Sequence, residues 1–85
     1  MHFVYIVRCA DGALYTGYAR DPRARERAHN SGRGAKYTAG QRPVRLVYQE
    51  AFRSAGKALA REYVVKRLTR AQNDALVVAA KRRNH

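Results

Sequence analysis

With 85 residues the chain has room for one domain, 1–85, and no material for a second core. The side chains able to fill a core are few (Val4, Ile6, Leu14, Leu46, Phe52, Leu59, Val65, Leu68, Leu76 and some neighbours), which argues against a large pocket or a buried organic cofactor. Lysine plus arginine number 18 against 6 acidic residues, a net charge of +12 spread along the chain, so the expected partner is a polyanion and most simply nucleic acid.

The first element predicted is a strand over 3–9, followed by a turn at Ala10-Asp11-Gly12 and a second strand from Leu14 to Tyr18. Asp21-Pro22 starts a helix, the aspartate capping it and the proline occupying a first turn whose N–H is not needed. That helix runs to about Asn30 and stops at Ser31-Gly32. A loop rich in glycine and cations, "GRGAKYTAGQRP", leads to a third strand over Val44 to Phe52. Ser54 opens a second helix, and Thr69 with Gln72 has capping-box spacing, so this helix ends near Leu68 and another starts at Arg70. The order β-β-α-β-α-α predicts a small α/β sandwich of the α+β kind, with helices covering a three-stranded sheet. Cys9, the single cysteine, reads as a small buried hydrophobe at a strand end. A cytoplasmic location is expected, because no internal disulfide can form, no signal peptide opens the chain and no apolar run approaches membrane-spanning length.

The hairpin register decides where Tyr5 and Tyr15 point. A two-residue Asp-Gly loop would put them on opposite faces. A three-residue loop, with Gly12 in the left-handed position, pairs Cys9 with Ala13 and places Phe3, Tyr5, Val7, Ala13, Tyr15 and Gly17 on one face. The second register is preferred because it separates a purely aliphatic face from a tyrosine-bearing one. It sets Gly17 opposite Tyr5, either to leave open space beside the phenol for a close-approaching substrate or simply to end the strand.

Of the six carboxylates, Asp11 belongs to the turn, Asp21 to a cap, Glu50 to a strand end and Asp74 to the start of the last helix. Glu26 is expected to be a solvated partner for the arginines around it. Glu62 stands in the middle of the apolar face formed by Ala55, Ala58, Leu59 and Val65, where a carboxylate must be paired, protonated or metal-bound. Lys66, one turn on, offers a salt bridge, and a divalent ion completed by water and phosphate oxygens is the alternative. Arg25 and His29 share one side of the first helix at the edge of its contact with the sheet. Arg23 and Arg27 form a more exposed row suited to phosphates. Hydrolysis of a phosphodiester needs an activated water, cations for the transferring phosphate and help for the leaving oxygen, which this set could supply together.

Phe3-Val4-Tyr5, Tyr15-Thr16-Gly17, Arg25, His29 and Glu62, in that order, resemble the GIY-YIG nuclease superfamily, with the ten-residue separation of the tyrosines typical of it. The stretches "HNSGRGAKYT" and "RPVRLVY" look like its short stand-alone bacterial members. The resemblance implies an antiparallel three-stranded sheet and metal-dependent cleavage of DNA, with Mg²⁺ or Mn²⁺ as a single ion on Glu62. It implies Tyr5 as general base or water-positioning group, Tyr15 orienting water or phosphate, Arg25 stabilising the transition state and His29 assisting proton movement. Two departures stand out: Phe3 replaces the opening glycine, and Tyr18 replaces a lysine found in some relatives. Asn73 lies near an asparagine of the family's last helix.

The expected function is therefore DNA endonuclease activity with weak or structure-dependent sequence preference, in DNA repair or recombination, with specificity open to a protein partner. RNA is the other candidate polyanion, and no membrane partner is expected. Nucleic-acid contacts are expected from Arg23, Arg27, Arg33, Lys36 and Tyr37. The alternative is a non-catalytic basic module on the same fold, whose binding would be salt-sensitive and indifferent to the Tyr5 hydroxyl.

Overall fold

The computed structural model describes residues 1–33 and 40–83. Lys36 and Tyr37 therefore lie outside the described residues. The elements are β1 (His2–Arg8), β2 (Leu14–Ala19), α1 (Pro22–Asn30), β3 (Arg45–Phe52), α2 (Ala55–Lys66) and α3 (Arg70–Arg83). The three strands form one antiparallel sheet in the order β2-β1-β3, so the first strand of the chain is the middle one.

The β1–β2 connection is the three-residue turn. Cys9 N–H donates to Ala13 O at 2.8 Å, Gly12 N–H donates to Cys9 O at 2.9 Å, and Gly12 has φ +89°. A side chain at that φ would be strained, so glycine holds the turn and with it the register. Tyr5 consequently pairs with Gly17 and Val7 with Tyr15, as the face argument required.

The two faces of the sheet build two apolar clusters. Val4 and Ile6 pack with Tyr48, Ala58, Val65 and Val77, under α2 and α3. Tyr5, Val7 and Cys9 pack with Ala19 and Val44 on the α1 side. An irregularity in the β1–β3 ladder sets Ile6 opposite Tyr48 but Val7 opposite Leu46, which leaves Val47 as an extra residue. This turns Leu46 into the α1-side cluster while Val47 and Tyr48 both pack with the other one.

The helix boundaries follow their caps. Asp21 Oδ1 accepts from Ala24 N–H and Ser54 Oγ from Lys57 N–H. Thr69 and Gln72 exchange two hydrogen bonds, Thr69 N–H to Gln72 Oε1 and Gln72 N–H to Thr69 Oγ1. One core expectation is corrected. Leu59 is 48 % exposed, because the small Ala58 is the point at which α2 closes on the sheet, and Leu59 lies about 100° further round the helix. Cys9 is a buried free thiol, as expected, and burial raises its pKa. Among the described residues no helix is long and apolar enough to cross a membrane.

Candidate active site

Tyr5 sits on the central strand and is 2 % exposed, with its ring laid across β2. A Cβ built on Gly17 would lie 2.5 Å from the Tyr5 hydroxyl oxygen and 2.6 Å from the ring carbon that bears it. Both readings of Gly17 are thereby corrected. The glycine neither opens room for a substrate nor merely ends the strand: the notch is filled by Tyr5 itself.

Through that notch the phenol reaches α1, where its oxygen lies 3.0 Å from His29 Nε2. His29 is 1 % exposed, not at the rim of the helix contact as expected from the helical spacing. The half-buried alanines Ala24 and Ala28 let α1 sit close to the sheet, and Tyr5 extends to meet the imidazole. The Tyr15 ring meets the same imidazole in a T-shaped contact, with centroids 5.5 Å apart and planes at 71°. His29 is thus held by both tyrosines.

Burial, with the neighbouring Tyr15 phenol and the charge of Glu62, pushes Tyr5 up to about 12, while the Arg25 guanidinium opposes the shift. His29 moves below its usual value, chiefly through burial and then through Arg25. Tyr5 therefore keeps its proton at neutral pH and His29 stays uncharged. The Tyr5 hydroxyl and His29 Nε2 share one hydrogen bond, whose direction follows from which imidazole nitrogen carries the proton.

Arg25 is exposed beside a hollow that it lines with Ala19, Ala24 and Ala28. Glu62 is on α2, with its side chain 18 % exposed and Oε2 3.3 Å from Lys66 Nζ, so the salt bridge foreseen from spacing forms. No group of three His, Cys, Asp or Glu side chains gathers among the described residues. A lone, partly exposed carboxylate suits an ion that takes most of its shell from water and phosphate, as Mg²⁺ does, and not an all-protein cage. Asn73, on α3, lines a cavity of about 320 Å³ with Leu14, Tyr15, Thr16 and Lys66. Its Oδ1 is buried and has no hydrogen-bond partner in the described structure.

Arg23 and Arg27 are both exposed on α1 at i,i+4 spacing, as expected, and Arg33 lies beyond the end of that helix. Arg33, also exposed, donates from Nε to Ser31 Oγ at 3.1 Å. Arg23 pairs with Glu26 at 3.3 Å on the β3 side of α1. Glu26 is also corrected: besides Arg23, its Oε2 accepts from Leu46 N–H at 2.6 Å, so it clasps β3 instead of standing in solvent. One turn on, Asn30 makes two bonds to Val44, with Nδ2 donating to the carbonyl at 3.0 Å and Oδ1 accepting from the N–H at 2.6 Å. The i,i+4 spacing of these two polar residues was the available signal for a second face of α1.

The model of the family described as the GIY-YIG catalytic domain matches residues 1–74. A UPF0213 protein of Staphylococcus aureus is 61 % identical over 69 residues, which cover 81 % of this chain and 84 % of that protein. The solution NMR structure of a UPF0213 protein from Bacillus halodurans is 49 % identical and superposes with a TM-score of 0.60, covering 92 % of this chain and 83 % of that one. A solution NMR structure of a protein from E. faecalis is 36 % identical, with a TM-score of 0.61 over 94 % of this chain and 85 % of that one.

Proposed function

The chain belongs to the GIY-YIG family, and on that premise we propose that it is a divalent-metal-dependent endonuclease that hydrolyses DNA phosphodiester bonds with weak or structure-dependent sequence preference. The observation that carries this reading is the buried Tyr5–His29 pair, 3.0 Å apart, on which Tyr15, Arg25 and the charge of Glu62 converge. A structural tyrosine needs none of these neighbours.

Each residue has a role consistent with its surroundings. Arg25, exposed and without a carboxylate partner among the described residues, binds the scissile phosphate and offsets the charge that builds on it. Tyr5, pushed up to about 12, stays protonated near neutral pH and so is not available there as a free phenolate base. It positions the attacking water, and with Nε2 of a neutral His29 as acceptor the hydroxyl passes its own proton to the imidazole as it takes one from water. Tyr15 packs against the imidazole and orients water or phosphate. Glu62 would hold Mg²⁺ or Mn²⁺, which supplies positive charge at the transferring phosphate.

The test is a panel of single-stranded, duplex and branched DNA with each metal. Cleavage is expected with Mg²⁺ or Mn²⁺ and is abolished by chelation and by Glu62→Gln, while Tyr5→Phe lowers the rate by about 10² or more. Normal cleavage by Glu62→Gln would remove Glu62 from the site. Salt-sensitive binding without cleavage on any substrate would make the protein the non-catalytic module instead.

A further inference from the structure

The free edge of β3 lies on the far side of the sheet from the Tyr5–Gly17 contact, since β3 and β2 are its two outer strands. Two adjoining clefts of about 530 Å³ each run along that edge between α1 and α3. Arg8, Arg45 and Lys81 line the first, and Lys81 also borders the second. The carboxylates in these clefts are already engaged: Glu26 with Arg23 and the Leu46 N–H, Glu50 with Arg61 at 2.9 Å.

The three cations are exposed and have no ion-pair or hydrogen-bond partner among the described residues. Arg8 and Arg45 stand directly opposite each other in the β1–β3 ladder. Like charges facing each other across strands destabilise a sheet, and an anion between them would reverse that effect. An acidic peptide adding to the edge as a further strand is disfavoured, because Glu26 already occupies the outward N–H of Leu46. A phosphate backbone needs only the cations.

We propose that the free edge of β3 is a second nucleic-acid groove, in which Arg8, Arg45 and Lys81 hold the backbone of a DNA segment separate from the one at the tyrosine site. The proposal rests on DNA as the substrate, and it gives a small domain two points of attachment on opposite edges. Such a protein would favour DNA that presents two segments, as a bend or a branch does.

The test is a salt titration of binding to a short fluorescent duplex in the presence of chelator, with wild type and the Arg8→Gln/Arg45→Gln/Lys81→Gln variant. Loss of three phosphate contacts is expected to flatten the log–log salt slope by about 2–3 and to weaken binding about tenfold or more near 0.1 M salt. Lys81→Gln alone, on an exposed helix surface, should flatten it by about 1. An unchanged slope and affinity would overturn the groove. So would binding of polyglutamate that the triple variant loses while its DNA binding persists. If wild type cleaves nothing but the triple variant still shows the flattened slope, the nuclease reading fails and the groove stands.

Discussion

A methyl group on residue 17 would have to occupy space that the Tyr5 phenol fills, with the hydroxyl oxygen at 2.5 Å. Gly17→Ala should therefore displace the ring from His29, lower stability by about 1–3 kcal/mol in urea unfolding, and remove most of the cleavage. In a Tyr5→Leu background the stability cost of the same substitution should shrink, since the clashing atoms are gone. His29 predicts a pH dependence of definite sign. Its pKa in the fold lies below the ordinary 6.5, through burial and Arg25. Above 6.5 the folded and unfolded chains both hold it neutral; below, the unfolded chain takes a proton that the fold resists. Stability present above that value is thus lost as pH falls through the folded pKa. Urea midpoints compared at pH 7 and pH 5 should fall more for wild type than for His29→Gln. His2, also shifted down, is common to both proteins and cancels in the comparison.

At the scale of elements, α1 does two jobs on two of its faces. Arg25 and His29 look toward the tyrosines, while Glu26 and Asn30 fasten the helix to β3 through backbone groups of Leu46 and Val44. Asn30→Ala leaves the buried Val44 N–H and C=O without that partner and should cost about 1–3 kcal/mol, measured by urea unfolding. Glu26→Gln keeps an acceptor for Leu46 and loses only an exposed ion pair, so its cost should stay near 0.5 kcal/mol or below. The turn, the caps and the hairpin register were legible because each is written in adjacent residues: Ala10-Asp11-Gly12, Asp21-Pro22, Thr69 with Gln72. The extra residue at Val47 was not, because a run of apolar side chains carries no mark of which one drops out of the ladder. The depth of His29 was hidden for a related reason. It depends on how far Tyr5 reaches through a notch in another strand, which helical spacing cannot express.

For the molecule as a whole, the charge of +12 named a class of partner but not where it binds, since the cations come from two of the strands, all three helices and the loops between them. The fold sorts them, with Arg25 toward the β2 side and Arg8, Arg45 and Lys81 along the β3 side. Order of synthesis adds a constraint. β1 is made first and ends in the middle of the sheet, where Tyr5 must find Gly17 and later Gln49. The hairpin can close as soon as its turn is made, but it then exposes one bare edge of β1 until β3 emerges. That edge carries Val4, Ile6 and Val7, an apolar run well suited to pairing with the wrong strand. Aggregation during expression should therefore be governed by how quickly β3 is delivered, and changes that slow the closing of β3 onto β1 should reduce soluble yield before they alter the finished protein.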